Sequence, residues 1–175
     1  MSLTPPDIDL RKAFWPSHKD LFFKLCSTVV WDERIKARKT ASFGVAYNYS
    51  QITYPETKMH PELIPLCAAV LESRGFTPNN CLLNFYADGS SSMGFHSDTA
   101  EELAPGTGVA TLSVGATRTI TYKLKTDREV QYSYSLESGD LLYMSNAVQL
   151  DWLHGILKEA EAGPRISITL RSIIS

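Results

Sequence analysis

The sequence has few cysteines and no long apolar run. Its 175 residues include three cysteines, Cys26, Cys67 and Cys81, an odd number without metal-type spacing. Such cysteines are typical of reduced thiols in a cytoplasmic protein. No segment is apolar over the roughly 20 residues that a membrane helix needs, and the N-terminal MSLTPPDIDL has no apolar signal core. The sequence therefore predicts a cytoplasmic protein without a membrane partner.

The chain also has little excess charge of either sign. Lys and Arg number 17 against 19 Asp and Glu, which gives a formal net charge of −2. A protein that binds nucleic acid mainly by electrostatics usually has a strong positive excess. The balance argues against such a binder but leaves room for a local basic patch. The length and the 43% of hydrophobic residues predict a single domain over residues 1–175 with a substantial core.

The chain changes character at Gly75. Before it, two segments have apolar residues at helical spacing: SHKDLFFKLCSTVVW, with Ser17 as a plausible N-cap, and HPELIPLCAAVLESRG, with Pro61 at its start. After it come short β-rich segments separated by turn signals: CLLNFY, VATLSV, RTITYKL, EVQYSYSL, DLLYMS and RISITLRSI. Two helices ahead of a run of strands predict an α+β protein, mainly β, or a β-sandwich supported by the N-terminal helices.

The stretch GFHSDT, residues 94–99, contains the first candidate for chemistry. On an extended strand, residues i and i+2 face the same side, so His96 and Asp98 would point together. Two such side chains could hold a metal ion. They could equally form a solvated or hydrogen-bonded pair, because an H-x-D spacing often arises by chance.

A distant histidine completes a possible metal site. His154 lies in DWLHG, where a packed residue is the ordinary interpretation. With His96 and Asp98, however, it would form the two-histidine, one-carboxylate set that binds Fe(II) and leaves coordination positions open. His18 and His60 lie in the helical part without a carboxylate at this spacing, so we interpret them as structural or exposed.

The C-terminal segment RISITLR alternates polar and apolar residues. Its polar face could lie in water, or it could form a pocket wall for a short dicarboxylate. The terminal arginines, Arg165 and Arg171, would be about 20 Å apart along an extended strand, and long side chains could lean inward from both. In NFY, Asn84 and Tyr86 also share a strand face and could donate hydrogen bonds to the same carboxylate.

Taken together, NFYADGSSSMGFHSD, SVGATR, DWLHG and PRISITLR resemble the AlkB family of Fe(II)- and 2-oxoglutarate-dependent dioxygenases. Their order and spacing follow that family's pattern of N-x-Y, a DG turn, H-x-D, S-x-G-A-x-R, W-x-H and R-x-N/S-x-T-x-R, over residues 36–173. The resemblance implies a double-stranded β-helix, a cupin-like jelly roll, over about residues 80–174. It also implies Fe(II), 2-oxoglutarate and O2 as cofactors.

The resemblance assigns roles by position. The implied iron ligands and catalytic residues are His96, Asp98 and His154. The implied 2-oxoglutarate residues are Asn84, Tyr86, Arg165, Ser167, Thr169 and Arg171. Within that set, Arg165 would contact the distal carboxylate with Asn84 and Tyr86, and Arg171 would contact the carboxylate near the iron.

Upstream, RKTASFGVAYNYS resembles the family's nucleotide-recognition lid, placed at about residues 32–58. The implied substrate contacts are Arg38, Thr40, Phe43, Tyr47 and Tyr49. The aromatic rings could stack on a base, and the basic run of Arg34, Lys36, Arg38 and Lys39 could contact phosphates. Alternatively, the charges solvate a helix end and the aromatic side chains belong to the core.

The reaction that the resemblance implies is oxidative demethylation of N-alkylated bases in DNA or RNA, as in alkylation-damage repair, with release of succinate, CO2 and formaldehyde. A base inside a duplex must be flipped out to reach such a centre, so a single-stranded substrate is expected. The enzyme is also expected to be a monomer.

The sequence departs from the family where the base is read. Thr99 and Ala100 stand where acidic residues often follow the H-x-D motif, and Asp151 precedes Trp152 where a histidine or aromatic residue is frequent. A second class therefore stays open, in which the same oxygenase chemistry acts on a peptide side chain or a small metabolite. A noncatalytic binding domain is a third, which the complete ligand set and both arginines argue against.

Overall fold

Two antiparallel β-sheets face each other in the structure, a computed structural model that describes residues 4–174. The described residues form twelve strands: β1 (Ile8–Arg11), β2 (Lys39–Gly44), β3 (Tyr47–Tyr49), β4 (Ile52–Tyr54), β5 (Asn80–Tyr86), β6 (Met93–His96), β7 (Val109–Gly115), β8 (Arg118–Leu124), β9 (Gln131–Leu136), β10 (Leu141–Met144), β11 (Trp152–Ile156) and β12 (Arg165–Arg171).

The larger sheet has the spatial order β1-β10-β7-β12-β5-β2, and the smaller sheet the order β6-β11-β8-β9. Strands β3 and β4 form a separate hairpin. Because sequence neighbours are divided between the two facing sheets, the arrangement is that of a jelly roll. The predicted mainly-β fold with a double-stranded β-helix core is confirmed.

Three α-helices accompany the strands in the described part of the chain: α1 (His18–Thr28), α2 (Ile64–Arg74) and α3 (Asn146–Asp151). The first two match the predicted segments. A one-turn 3-10 helix, Pro61–Leu63, precedes α2. Helix α2 ends at Gly75, which has a left-handed backbone conformation with φ of +79°. Because glycine lacks a Cβ, it adopts this conformation with little strain.

The helices α1 and α2 cover the outer face of the six-stranded sheet. Leu25 and Val70 from these helices are fully buried in one cluster with Ile166 and Ile168 of β12. A second apolar cluster, which includes Tyr122 and Trp152, involves strands of both sheets. The predicted support of the strands by N-terminal helices is therefore confirmed.

Strand β12 is buried on both faces, because the helices cover one face and the smaller sheet lies against the other. Its apolar residues pack toward the helices. By alternation, its polar residues point between the two sheets, where Arg165 is only 1% exposed. The alternative that this polar face lies in water is therefore wrong: the face lines the interior of the jelly roll.

The segment predicted as a lid contains β2 and the β3–β4 hairpin, which the strand patterns had not indicated. The boundaries at residues 32–58 and 80–174 stay predictions, and residues 1–3 and 175 of the predicted domain lie outside the described residues. The three cysteines are free thiols. Within residues 4–174, none of the helices has the length and apolar character needed to cross a membrane.

Candidate active site

The structure brings His96, Asp98 and His154 together. His96 ends β6 and pairs across the sheet with His154 of β11. Asp98 lies beyond the end of β6, in the loop that turns back toward the same point. One ligand atom from each residue lies within 4.8 Å of the other two. The set is therefore arranged as two histidines and one carboxylate around a common centre, the geometry of an Fe(II) site with open positions.

The hydrogen bond of His96 to the backbone leaves its other ring nitrogen available to bind a metal ion. Its Nδ1 lies 2.9 Å from the carbonyl oxygen of Gly94, which can only accept, so Nδ1 carries the proton. Nε2 is then the ring nitrogen that faces the common centre, and it lies 3.6 Å from Oδ1 of Asp98. A ligating histidine usually donates its other N–H to a carbonyl or carboxylate, which fixes the ring orientation.

His154 is held in its neutral form. Its side chain is almost fully buried, and burial lowers its pKa to about 4. The ring lies between those of His96 and Tyr122, with centroid distances of 4.5 Å and 5.8 Å. Its Nδ1 has no hydrogen-bond partner among the described residues. A neutral imidazole is the form that binds a metal ion.

Asp98 has a buried cationic partner. Nη2 of Arg171 donates a hydrogen bond to its Oδ2 at 3.2 Å, and both side chains are less than a tenth exposed. Burial alone would raise the pKa of Asp98, but the charge of Arg171 and the two neighbouring imidazoles outweigh it. The pKa of Asp98 is therefore held well below its usual range, and the residue stays an anionic ligand.

The second arginine of β12 has unused donors. Arg165 donates from Nη2 to Oγ of Ser113 at 2.8 Å, whereas its Nε and Nη1 have no partner among the described residues. Leaving buried guanidinium N–H groups unpaired is unfavourable unless an anion binds there. Arg171 likewise has unpartnered Nε and Nη1 atoms. The two ends of β12 thus offer cationic donors suited to a dicarboxylate.

One cavity contains all of these groups. Its wall includes the three candidate iron ligands and the six predicted cosubstrate residues: Asn84, Tyr86, Arg165, Ser167, Thr169 and Arg171. The amide oxygen of Asn84 accepts a hydrogen bond from Nε of Arg38 at 2.8 Å. That bond orients the side chain and leaves only its amino group as a donor toward the cavity.

A wider cavity of about 430 Å³ opens beside the candidate centre, and we call it the mouth. The β3–β4 hairpin lines one side, and β6 with its following loop lines the other. Of the five predicted substrate contacts, Arg38, Tyr47 and Tyr49 line the mouth. Tyr47 also packs under the guanidinium of Arg171, 4.8 Å from its ring centroid.

The remaining two predicted substrate residues lie elsewhere. Thr40 is fully buried and bonded through its hydroxyl to Tyr54, which ties β2 to β4. Phe43 packs edge-on against His60, with ring centroids 5.4 Å apart, and against the core beneath the helices. Their side chains are engaged away from the mouth, so only Arg38, Tyr47 and Tyr49 of the predicted substrate set line it.

The basic run in the lid also needs correction. Arg34 pairs with Asp32, and Lys39 lies 3.0 Å from the carboxylate of Glu33. Arg38 is buried and bonded to Asn84 and to the carbonyl oxygen of Ser92. The acidic partners neutralise two members and burial removes a third, so among the described residues only the exposed Lys36 keeps an unpaired charge, which is less than the predicted phosphate-binding patch.

Sequence reasoning missed residues that position the site. Oε1 of Gln149, at the end of α3, accepts the backbone N–H of Asp98 at 2.7 Å. Arg118 is fully buried and donates to the carbonyl oxygens of Ser91 and Leu157, each at 2.8 Å, which fixes the turn before β6. Arg118 belongs to the quoted motif SVGATR, so its place was visible there although its role was not.

Comparisons with known proteins agree with this geometry. Residues 18–171 match the family model described as the 2OG-Fe(II) oxygenase superfamily. The chain is 34% identical to "Alpha-ketoglutarate-dependent dioxygenase alkB homolog 3" of Mus musculus, covering 98% of this chain and 65% of that protein. It is 32% identical to "DNA oxidative demethylase ALKBH2" of Homo sapiens, covering 78% and 57%. The solved structure of OsALKBH1 has the same fold, with a TM-score of 0.73, 17% identity, and coverage of 98% and 99%. The chain spans less than two thirds of the length of these two relatives.

Proposed function

Because the chain belongs to the 2OG-Fe(II) oxygenase superfamily, we propose that it is an Fe(II)- and 2-oxoglutarate-dependent dioxygenase that removes N-alkyl groups from nucleic-acid bases. The resemblance to the AlkB family, carried by the sequence motifs, is confirmed by the relatives. The observation that carries the proposal is the joint cavity, in which a His-Asp-His set lies beside two buried arginines with unpaired donors.

The residues present fit an iron ion. Two imidazoles, of which burial keeps that of His154 neutral, and a carboxylate held in its anionic form by Arg171 match the ligand types of a facial Fe(II) site. The proton on Nδ1 of His96 and the fixed loop at Asp98 orient two of the ligands. We assign His96, Asp98 and His154 to the metal.

The residues also fit 2-oxoglutarate. Arg165 would pair with the distal carboxylate through its free Nε and Nη1, with Asn84 and Tyr86 beside it. Arg171 would contact the carboxylate nearer the iron, because it already touches Asp98. Ser167 and Thr169 lie between the two arginines on the same face of β12.

When bound, iron, 2-oxoglutarate and O2 supply the oxidation of a substrate C–H bond, with release of succinate and CO2. The protein's own contribution is to bind and orient. Arg171 keeps Asp98 anionic, burial excludes water from Arg165, and the mouth directs the substrate toward His96. Hydroxylation of an N-methyl group gives a hemiaminal, which collapses to formaldehyde and the free amine.

The mouth supports a base as the substrate group. Tyr49 lines both the inner cavity and the mouth, and its ring stacks against Tyr47 at 6.5 Å with an interplanar angle of 19°. Aromatic side chains at such an opening can stack on a base of any sequence. A single strand avoids the unpairing energy of a flipped base, so we expect single strands to be preferred. We also expect a monomer and a cytoplasmic location.

The test is a turnover assay with oligonucleotides that carry 1-methyladenine or 3-methylcytosine, single- and double-stranded, with loss of the methyl group followed by mass spectrometry. Succinate and formaldehyde should form in equal amounts, faster with single strands. The matched control is His154→Ala, which should lose both products. Turnover with none of these strands would contradict the nucleic-acid assignment.

The second candidate is the same oxygenase chemistry on a peptide side chain or a small metabolite. Thr99 and Ala100 in place of acidic residues favour it, as does the neutralised basic run of the lid. Peptides and free nucleosides therefore belong in the same turnover screen, and succinate release with either class alone would select this candidate.

A further inference from the structure

The wall of the mouth opposite the lid carries an aromatic side chain that belongs to neither the iron site nor the 2-oxoglutarate site. This wall is formed by β6 and the loop after it, from Met93 to Thr99. Phe95 is its one aromatic side chain other than the ligand His96. On β6, alternation turns Phe95 away from the side on which His96 meets the candidate iron centre. The phenyl ring therefore lies on the outer face of the four-stranded sheet, beside the mouth, and does not line the inner cavity.

The neighbouring strand leaves room for the Phe95 ring. Gly155 of β11 runs so close to β6 that a Cβ there would come within 2.9 Å of the carbonyl oxygen of Met93 and 3.3 Å of the backbone nitrogen of Phe95. Strand β11 lies between β6 and β8. Because Gly155 has no side chain, β11 leaves the space between Phe95 of β6 and strand β8 open at that position. The phenyl ring stays half-exposed on the outer face of the four-stranded sheet.

Lys123 of β8 reaches this ring. Its Nζ lies 4.5 Å from the ring centroid of Phe95, within the range of a cation–π contact. Within residues 4–174, the Lys123 ammonium forms no ion pair with a carboxylate. Arg34 and Lys39 on the lid, in contrast, are neutralised by acidic neighbours. Lys123 thus places beside the β6 wall a positive charge that no carboxylate of the described residues neutralises, whereas in the predicted basic run only Lys36 is exposed and unpaired in this way.

From this arrangement we infer that Phe95 and Lys123 form a platform for the single-stranded nucleic acid next to the target base. The inference rests on the proposed function. A base adjacent to the target would stack on the phenyl face that Lys123 leaves open, and the phosphate beside it would contact the ammonium. An aromatic face next to an unpaired cation matches the repeating unit of a single strand, in which each base is joined to a phosphate. A free nucleoside has no such neighbour and would not use the platform.

The first experiment measures binding of a fluorescent, unmodified single-stranded oligonucleotide to the full chain, by anisotropy over a range of salt concentrations. Phe95→Ala should weaken binding by about tenfold, because one base loses its stacking partner. Phe95→Tyr keeps an aromatic ring and should bind like the original protein. Lys123→Gln should lower the slope of log affinity against log salt by about 0.7, the value for one phosphate contact on a single strand.

The controls are matched changes on α1, on the opposite side of the molecule. Phe23→Ala removes a phenylalanine that is 69% exposed, and Lys19→Gln removes an exposed lysine. Both should leave the affinity and the salt slope unchanged. Affinity for 2-oxoglutarate with Mn(II) should be the same in all five variants, which shows that each has folded.

The second experiment separates the inference from the proposed function. Demethylation of a methylated oligonucleotide is compared with that of the methylated free nucleoside. Phe95→Ala and Lys123→Gln should raise KM for the oligonucleotide, and Lys123→Gln, which lies outside the mouth, should leave nucleoside turnover unchanged. If the original protein demethylates oligonucleotides and both variants bind and react as it does, the platform is wrong while the proposed function stands. Weaker strand binding in the variants without any demethylation by the original protein would support the platform and contradict the demethylase assignment. Absence of any binding to the strand would overturn the platform.

Discussion

Arg171 and Asp98 connect the two halves of the candidate site. The guanidinium at the end of β12 donates to the carboxylate that follows β6 at 3.2 Å, and both side chains are buried. The same guanidinium lies over the ring of Tyr47 in the lid hairpin. One side chain therefore contacts a candidate metal ligand and the mouth, and it keeps free donors for the cosubstrate. Its removal should affect stability as well as binding.

Arg171→Met should destabilise the metal-free protein by about 3–5 kcal/mol, because it leaves the carboxylate of Asp98 buried without a charged partner. Urea unfolding measures the free energy difference. The control is a double-mutant cycle with Asp98→Asn, in which the second change should recover much of the loss. A coupling energy close to zero would show that the two residues do not interact in the folded protein.

Arg165→Ala should weaken 2-oxoglutarate binding by roughly 2–5 kcal/mol, because a buried carboxylate would lose its charged partner. Anaerobic calorimetry in the presence of Fe(II) gives the affinity. Iron binding should be unaffected, since Arg165 contacts Ser113 and the ring of Tyr86 rather than the three candidate ligands. Unchanged cosubstrate affinity would remove Arg165 from the assigned site.

Asp98→Ala tests the metal assignment directly. Loss of the one anionic ligand should abolish stoichiometric Fe(II) binding, whereas 2-oxoglutarate should retain its contact with Arg165. Metal titration followed by absorbance or calorimetry measures this, with Asp88→Ala as the control because that carboxylate lies in the exposed turn before β6. Iron affinity equal to that of the original protein would end the His-Asp-His assignment.

Gln149→Ala tests a positioning role that the sequence did not indicate. The backbone N–H of Asp98 would lose its acceptor, and the loop that carries the carboxylate would become less fixed. Changes of this kind typically lower metal affinity by about 10–100-fold. The matched control is Gln131→Ala on the exposed strand β9, which should bind iron normally. Equal affinities in both variants would contradict the role of Gln149.

The sequence predicted those parts of the site that depend on local spacing. His96 and Asp98 lie two residues apart, and the polar residues of RISITLR alternate, so their common orientation follows from strand geometry. His154, which is distant in the chain, came from the two-histidine, one-carboxylate ligand set, and the family motifs then assigned it as an iron ligand. The same reasoning located α1 and α2, whose apolar faces and boundary residues are local features as well.

Features that depend on pairing between distant strands were not predictable. The contact of Lys123 with Phe95 requires β8 and β6 to flank β11, and no local pattern specifies that order. Thr40 and Phe43 lie in a lid-like motif, yet the pairing of β2 with β5 and the hydroxyl bond to Tyr54 turn them from the mouth. The acidic partners of Arg34 and Lys39 are close in sequence, but side-chain pairing is not fixed by proximity alone.

The neutral state of His154 has a consequence for stability. Its pKa is about 4 in the folded protein, against an ordinary value of 6.5, because burial disfavours the charged ring. In the unfolded chain the imidazole is exposed and takes up a proton as the pH falls below 6.5. Protons then bind the unfolded state more than the folded one, so the free energy of unfolding decreases with falling pH. The decrease belongs to the interval from about pH 6.5 to about pH 4.

We therefore expect the metal-free protein to lose about 2 kcal/mol of stability through His154 between pH 7.5 and pH 5. Urea unfolding at several pH values in that interval measures the change, with a chelator present so that no metal competes for the ring. His154→Gln removes the titrating group, and its stability should vary less with pH by the same amount, whatever its absolute stability. Bound Fe(II) should raise the stability and keep the ring neutral to lower pH, so the loss of stability with falling pH should persist, since the metal binds the neutral ring of the folded state only. The matched control is His18→Gln, because the His18 ring bonds Ser138 far from the candidate centre. Comparison of this variant with His154→Gln shows whether a change in the pH dependence of the unfolding free energy belongs to His154. Identical pH profiles for the original protein and His154→Gln would show that the ring is not buried in its neutral form, and the orientation assigned to this ligand would have to be abandoned.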